Sequence, residues 1–432
     1  MMVKNTALGS GKWVEWIVAI SVAYMISFSL LASLLKLVLP GLESIFILSR
    51  NIFLLILLYY QNKYYGLKIK DKQFLLFFIV YSLYVYVYLF VSPVYKIDYL
   101  LRVPQTVFNF LIGTLQIIIY MLCADTIMSN FKVGKFIIVG IFFSILPALF
   151  FIQYVGAEVL QMYGVDKDND EFSILALGYC NSPLLVFCVV FFFQIIQDKY
   201  ISGIMASIVI IVVAYILMTG GERGPIIWSV VNLVICFFIS TKHKTKYLMI
   251  VVLTLFLIIA NIDSIIGGIG HVSSHAAEKV ESTLKEGDTN GRFDVNNPEG
   301  STYLIGLNQF FQSPLWGSYF RLVTEHRSFK GAYPHNVFIE ILMTMGLLGF
   351  IPFIAFLVKS WKKVNKVLKK ENCTDGKFAC LILFLSTFLQ LQTTWSIVLN
   401  LSFWPFFYMM CVFDMPIKEK TSIGHIYANK TK

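Results

Sequence analysis

Apolar stretches of roughly twenty residues, nearly free of charge and separated by short polar interruptions, recur along this 432-residue chain. In helical form a stretch of that length covers about 30 Å, the thickness of the hydrocarbon core of a bilayer. Inside that layer every backbone N–H and C=O needs an internal partner, which an α-helix finds within its own segment. The fold class expected is therefore all-α, a polytopic integral membrane protein forming a single transmembrane domain. Charged residues make up only 14% of the chain and hydrophobic ones 57%. A soluble domain carries about a quarter charged residues, so that class is excluded.

Twelve helices are predicted, over residues 13–39, 44–60, 73–91, 104–122, 136–152, 174–196, 202–218, 225–240, 247–266, 335–358, 378–394 and 396–413. The first is too long for a signal-peptide core and lacks a small-residue cleavage site after it, so it is expected to be retained as a span. Where the last two join stand Gln390, Gln392, Thr393, Thr394 and Asn400; two full crossings and a re-entrant pair are both open readings. The seven cysteines lie in or beside apolar segments and suggest neither a disulfide framework nor a CxxC metal site.

Charge orients the bundle. With the N-terminus inside, the inner segments and the basic tail hold 23 of the 35 Lys and Arg residues, including Lys359, Lys362, Lys363, Lys366, Lys369, Lys370 and Lys377. The positive-inside rule then puts both termini in the cytoplasm and the long polar stretch 267–334 outside. The net charge of +10 follows from this topology, and no nucleic-acid partner is needed to explain it. All 23 inner cations are Lys, expected as solvated point charges, whereas Arg50, Arg102, Arg223, Arg292, Arg321 and Arg327 all fall on the outer side or in the loop. A planar guanidinium fork fits phosphate in a bidentate way, so the outer face is read as prepared for an anion.

Three outer features carry that reading. Gly220 and Gly221 end the seventh span and Pro225 opens the eighth helix. Arg223 therefore stands at a helix N-terminus, where free N–H groups and the dipole favour negative charge, with Glu222 beside it as a neutralising partner. Taken alone, Arg223 serves equally well as a snorkelling anchor. In the loop, Asp288-Thr289-Asn290-Gly291 is turn-rich and presents Arg292. From Ser301, an N-cap, the residues Tyr303, Leu304, Leu307, Phe310 and Phe311 recur at helical spacing until Ser313-Pro314. That helix either lies flat on the outer bilayer face or packs on neighbouring spans. Finally, Pro334-His335-Asn336 begins the tenth span, with Glu340 one turn further on. The imidazole, mostly neutral at pH 7, can accept or orient a hydroxyl proton, or act as a capping contact. Asn336 and Glu340 share a helix face, so Glu340 is expected to hold Asn336 or a substrate group. His271 and His275 have no acidic or Cys partner at ligand spacing, and no metal or other cofactor is expected.

Asn290-Gly291-Arg292, the run from Tyr303 through Phe311-Gln312-Ser313-Pro314-Leu315-Trp316-Gly317, and Pro334-His335-Asn336 through Glu340 to Gly346-Leu347-Leu348-Gly349 together resemble the signature region of the bacterial O-antigen polymerase and O-antigen ligase superfamily. The resemblance is closest over residues 220–350. It departs from the commonest pattern by the Pro-containing insert 293–300 between Arg292 and the loop helix. The resemblance implies a metal-independent, membrane-embedded glycosyltransferase of the GT-C type, acting at the outer face of the cytoplasmic membrane on a glycan carried by undecaprenyl pyrophosphate. In that picture Arg223 and Arg292 hold the pyrophosphate and His335 serves the acceptor hydroxyl, giving inversion at the anomeric carbon. Arg321, Arg327, Asn336, Glu340 and Glu222 line the pyrophosphate or glycan path. A chain-length regulator and a flippase are the implied protein partners. The Pro-His-Asn-Val-Phe-Ile-Glu phrase resembles the polymerases more than the ligases, which transfer the glycan to lipid A-core. A transporter or flippase of lipid-linked sugars is the reading from a different class; the chain shows no repeated halves, and its distinctive charges gather at one face.

Overall fold

The fold is described from a computed structural model, over residues 12–39, 42–91, 104–155, 174–192, 203–219, 223–240, 263, 266–267, 270, 281, 301–317, 334–369, 373–392, 397, 400 and 402–417. Among these residues the only regular structure is helical. The elements are α1 (Lys12–Val38), α2 (Leu42–Tyr64), α3 (Lys72–Val91), α4 (Pro104–Leu122), α5 (Ala124–Asn130), α6 (Val133–Gly140), a π-turn (Ile141–Ile145), α7 (Leu146–Val155), α8 (Ile174–Val190), α9 (Gly203–Thr219), α10 (Arg223–Ser240), α11 (Thr302–Gln312), α12 (Val337–Lys369), α13 (Asp375–Gln390) and α14 (Phe403–Cys411). Three helices, Ile45–Tyr64, Val133–Gln153 and Val337–Lys369, are long and apolar enough to cross a membrane, and the pair Phe110–Leu122 and Ala124–Asn130, bent by 58°, makes a fourth if counted as one span. Shorter apolar helices accompany them. The predicted span 247–266 lies almost wholly outside the described residues.

Side-chain acceptors start the helices where the sequence provides them. Asp71 Oδ1 accepts from Phe74 N (3.0 Å), Ser301 Oγ from Leu304 N (3.3 Å) and Thr374 Oγ1 from Lys377 N (3.3 Å). Each fills one of the donors that a helix leaves open in its first turn. The core is aromatic: Phe74, Phe77, Phe78 and Tyr81 of α3 pack on Trp404, Phe407 and Tyr408 of α14 and on Phe356 of α12. Every residue of α14 is buried.

α13 and α14 run in opposite directions alongside α12. At one end Lys377 Nζ donates to Phe413 O (2.6 Å); at the other Val337 N donates to Leu391 O (2.9 Å). Between residues 397 and 414 the chain then runs from the side of Glu340 to that of Lys363 and Lys366.

Of the lysine-bearing segments assigned to the inner side, those around Lys70 and from Lys359 to Lys377 lie at one end of the bundle, while Lys4, Lys199, Lys242, Lys244, Lys246 and the basic tail lie outside the described residues. Lys70 pairs with Asp125 (2.6 Å), Lys359 with Asp71 (3.1 Å), and Lys363 and Lys366 share Asp414. They are not all solvated point charges, however. Lys135 is 2% exposed and bonds Glu15 Oε2 (2.7 Å) and Lys12 O (2.9 Å), tying the start of α6 to the start of α1. A buried ammonium needs such fixed oxygens in place of water.

The largest departure from expectation lies in α12, which is predicted as a span over 335–358. It runs on to Lys369 and breaks at Gly346, where φ is 59° and ψ is −157°. The amides freed by the break are satisfied from outside the helix: Leu347 N donates to Pro314 O (2.8 Å) and Leu348 N to Leu315 O (3.2 Å). Residues 314–317 are wedged into the break, with Gly317 at φ 76° against the Thr344 backbone and the Tyr84 hydroxyl donating to Trp316 O. Non-helical backbone at this level of an apolar helix is stable only when its polar groups are paired in this way.

α11 therefore does not lie flat across the end of the bundle but packs lengthwise along the first half of α12. Its close approach is at Gly306, where a Cβ would stand 2.7 Å from Ile339 Cγ2. The buried side of α11 is Thr302, Ile305, Gly306 and Gln309. Of the apolar stripe read from the sequence, Tyr303, Leu304, Leu307 and Phe310 are half-buried and Phe311 is 70% exposed; beyond the helix Leu315 and Trp316 are 56% and 65% exposed, the arrangement expected of a lipid-facing surface.

Candidate functional site

The described part of the candidate site is the turn that opens α12. His335 has φ 52° and is the only non-glycine residue with positive φ among the described residues. Left-handed backbone costs a side-chain-bearing residue about 1–2 kcal/mol and persists where neighbouring bonds enforce it. Here Asn336 Oδ1 accepts from Phe338 N (3.0 Å) and Ile339 N (3.2 Å), its Nδ2 donates to Gln392 Oε1 (3.3 Å), and Val337 N is held by Leu391 O. Pro334 precedes and limits the same turn. The imidazole is thus carried, half-buried, on a backbone held from both sides.

These bonds also decide what this helix start can do. The amides of Val337, Phe338 and Ile339 are already used by Leu391 and Asn336, so the opening of α12 is not itself an anion cradle. Any phosphate at this end must be held by side chains or by another helix. α10 is one helix whose start is linked to this turn through packed neighbours. It begins at Arg223, and Pro225 lies against Gly178 of α8, where no Cβ would fit. The next residue, Tyr179, accepts from Gln390 Nε2 through its carbonyl (3.1 Å), and Leu391 then bonds Val337. A short series of direct contacts thus links the start of α10 to the turn that bears His335.

Asn336 and Glu340 are on one helix face but do not join side chain to side chain. Asn336 acts as a cap. Glu340 is fully buried, and its Oε2 accepts from Ile397 N (3.1 Å), pinning the returning connection after α13. The expected consequence is sharp: Glu340→Gln keeps an acceptor for Ile397 N and should lower stability little, whereas Glu340→Ala strands that amide and should cost about 1–3 kcal/mol in thermal unfolding. The side chain of Arg223 and the whole of Glu222, Arg292, Arg321 and Arg327 lie outside what the structure describes.

Gln392 went unassigned in the sequence beyond its place in a polar join. It accepts from Asn336 and, through its carbonyl, from the Tyr303 hydroxyl (3.3 Å), so it connects α11, α12 and α13 at the site. Its signal was the cluster Gln390, Gln392, Thr393 and Thr394 inside an apolar stretch. Among the described residues no three His, Cys, Asp or Glu side chains gather closely enough to hold a metal ion. No protein-family model, curated protein or solved structure matches the chain.

Proposed function

We propose that the protein is an O-antigen or related surface-polysaccharide polymerase of the bacterial cytoplasmic membrane, with twelve spans, both termini inside, and its site at the outer face. Its donor is a glycan on undecaprenyl pyrophosphate, and its acceptor is the non-reducing sugar of a new lipid-linked repeat. The observation that carries the reading is the strained His335 turn, locked by Asn336 and Leu391 and linked by contact to the helix that Arg223 opens. Strain of this kind concentrates at functional sites.

In the proposed reaction the acceptor hydroxyl attacks the anomeric carbon while the bond from that carbon to the pyrophosphate oxygen breaks. The hydroxyl proton passes to the His335 imidazole, and the leaving pyrophosphate keeps the bonding pair. Arg223 and Arg292 stabilise the charge that develops there, as fixed donors do in a water-poor site. Arg321 and Arg327 extend that field along the glycan.

Because a point charge cannot reproduce a bidentate fork, Arg223→Lys and Arg292→Lys should each lose at least about tenfold in transfer rate. Rates equal to the parent would mean that charge alone is used. A deletion strain tests the kind of transfer: loss of a polymerase leaves single-repeat lipopolysaccharide, whereas bare core with stranded lipid-linked polymer would make the protein a ligase.

A further inference from the structure

At the opposite end of α12 from His335 a groove of about 420 Å³ is lined by Ala355, Val358, Lys359, Lys362, Lys363, Lys366 and Asp414. We infer that this groove binds the headgroup phosphate of an anionic phospholipid. The inference rests on the membrane character of the chain and is independent of the glycan chemistry proposed above.

The groove lies where the apolar part of α12 gives way to its lysines. From Val337 to Val358 the only charged residue of α12 is Glu340, and the lysines begin at Lys359. Residues 337–358 span at most about 33 Å, less by the break at Gly346, so the lysines begin near the far edge of a hydrocarbon layer of about 30 Å. The groove therefore straddles the boundary where phospholipid headgroups lie. Its lining changes polarity in the same direction, from Ala355 and Val358 to four ammonium groups. Beside it Trp361 is 48% exposed, as interfacial anchors are.

The groove is also positively charged. Lys359, Lys362, Lys363 and Lys366 follow the i, i+3, i+4, i+7 pattern of one helix face. Lys359 is paired with Asp71 at 3.1 Å, and the single carboxylate of Asp414 is divided between Lys363 and Lys366 at 3.4 Å to each. Those last distances are longer than a close charged hydrogen bond of about 2.7–2.9 Å. Four lysines against two carboxylates leave two positive charges in excess, and no acidic side chain among the described residues pairs with Lys362. A phosphodiester with one lipid-facing side brings one negative charge to that excess and places its acyl chains along the apolar lining. Lysines at such a surface each favour an anionic lipid by about tenfold or less, so the group acts collectively.

The test uses the full chain purified in a neutral detergent, with thermal unfolding followed on addition of phosphatidylglycerol, phosphatidylcholine or inorganic phosphate at equal concentration. Phosphatidylglycerol should raise Tm by several degrees, and the other two should not. The double variant Lys362→Gln/Lys366→Gln alters exposed head groups, so its lipid-free Tm should match the parent while more than half of the phosphatidylglycerol shift is lost. Lys362→Arg/Lys366→Arg should keep the shift. Equal shifts with phosphatidylglycerol and phosphatidylcholine, a full shift with inorganic phosphate alone, or a full shift in the glutamine variant would each overturn the assignment.

Discussion

His335→Gly should fold at least as well as the parent, gaining up to about 1 kcal/mol, and yet lose glycan transfer by a factor on the order of 10²–10⁴. The two effects have opposite signs because they act on different parts of the residue. Glycine accepts a φ near 52° without the Cβ conflict that histidine bears, so the backbone term favours the variant. The bonds that shape the turn belong to Asn336, Val337 and Leu391 and survive the change. What disappears is the imidazole. His335→Asn offers a second check, since asparagine also tolerates the left-handed region but has no group able to take a hydroxyl proton near pH 7. Thermal unfolding and transfer rates measured on the same preparations separate the two terms. An active glycine variant would remove His335 from the chemistry, and an unfolded one would show that the side chain holds the turn.

The second large effect is structural. Gly346→Ala should destabilise the protein by several kcal/mol, read as a fall in Tm or as failure to purify in a folded form. Two costs add. Backbone at φ 59° and ψ −157° is a region essentially reserved for glycine, at about 1–3 kcal/mol for other residues. A Cβ there would also stand 2.5 Å from Leu315 O and 2.6 Å from Gly317 N, both backbone atoms that cannot rotate away. Gly317→Ala meets the reciprocal obstacle, the Thr344 backbone, and should fail similarly. The double variant should cost less than the sum, because either change already opens the wedge of residues 314–317 in α12. A parent-like Tm for Gly346→Ala would mean that this crossing is not fixed as described.

The same crossing shows what can be read from a chain and what cannot. Helix positions were legible: residues 104–122 were bounded correctly from apolar length and Pro104 alone, and Ser301 and Ser313-Pro314 marked both ends of α11. These signals are local. The break at Gly346 was hidden because the groups that satisfy Leu347 and Leu348 come from Pro314 and Leu315, some thirty positions earlier. Glu340 was expected to hold Asn336, its neighbour one turn away, or a substrate group; its Oε2 accepts from Ile397 N, far along the chain. Of the two placements left open for α11, the structure shows packing on a neighbouring helix; the apolar stripe could not choose, because a glycine makes close helix contact through what it lacks. Lys135 was counted as a surface charge because nothing near it in sequence announces Glu15. At the site, His335 and Asn336 stood out by type and spacing, while Gln392 acquired its meaning only when three helices met around it.

The central claim is that outer arginines and one imidazole act together on a lipid-linked pyrophosphate. It is tested most directly by placing the purified chain in liposomes with undecaprenyl-pyrophosphate-linked repeat units, without an ion gradient or added metal, and resolving the glycans by length. The parent should lengthen them, and Arg223→Ala, Arg292→Ala and His335→Gly, each shown to be folded, should leave single repeats. Lengthening by all three variants at the parent's rate would contradict the account.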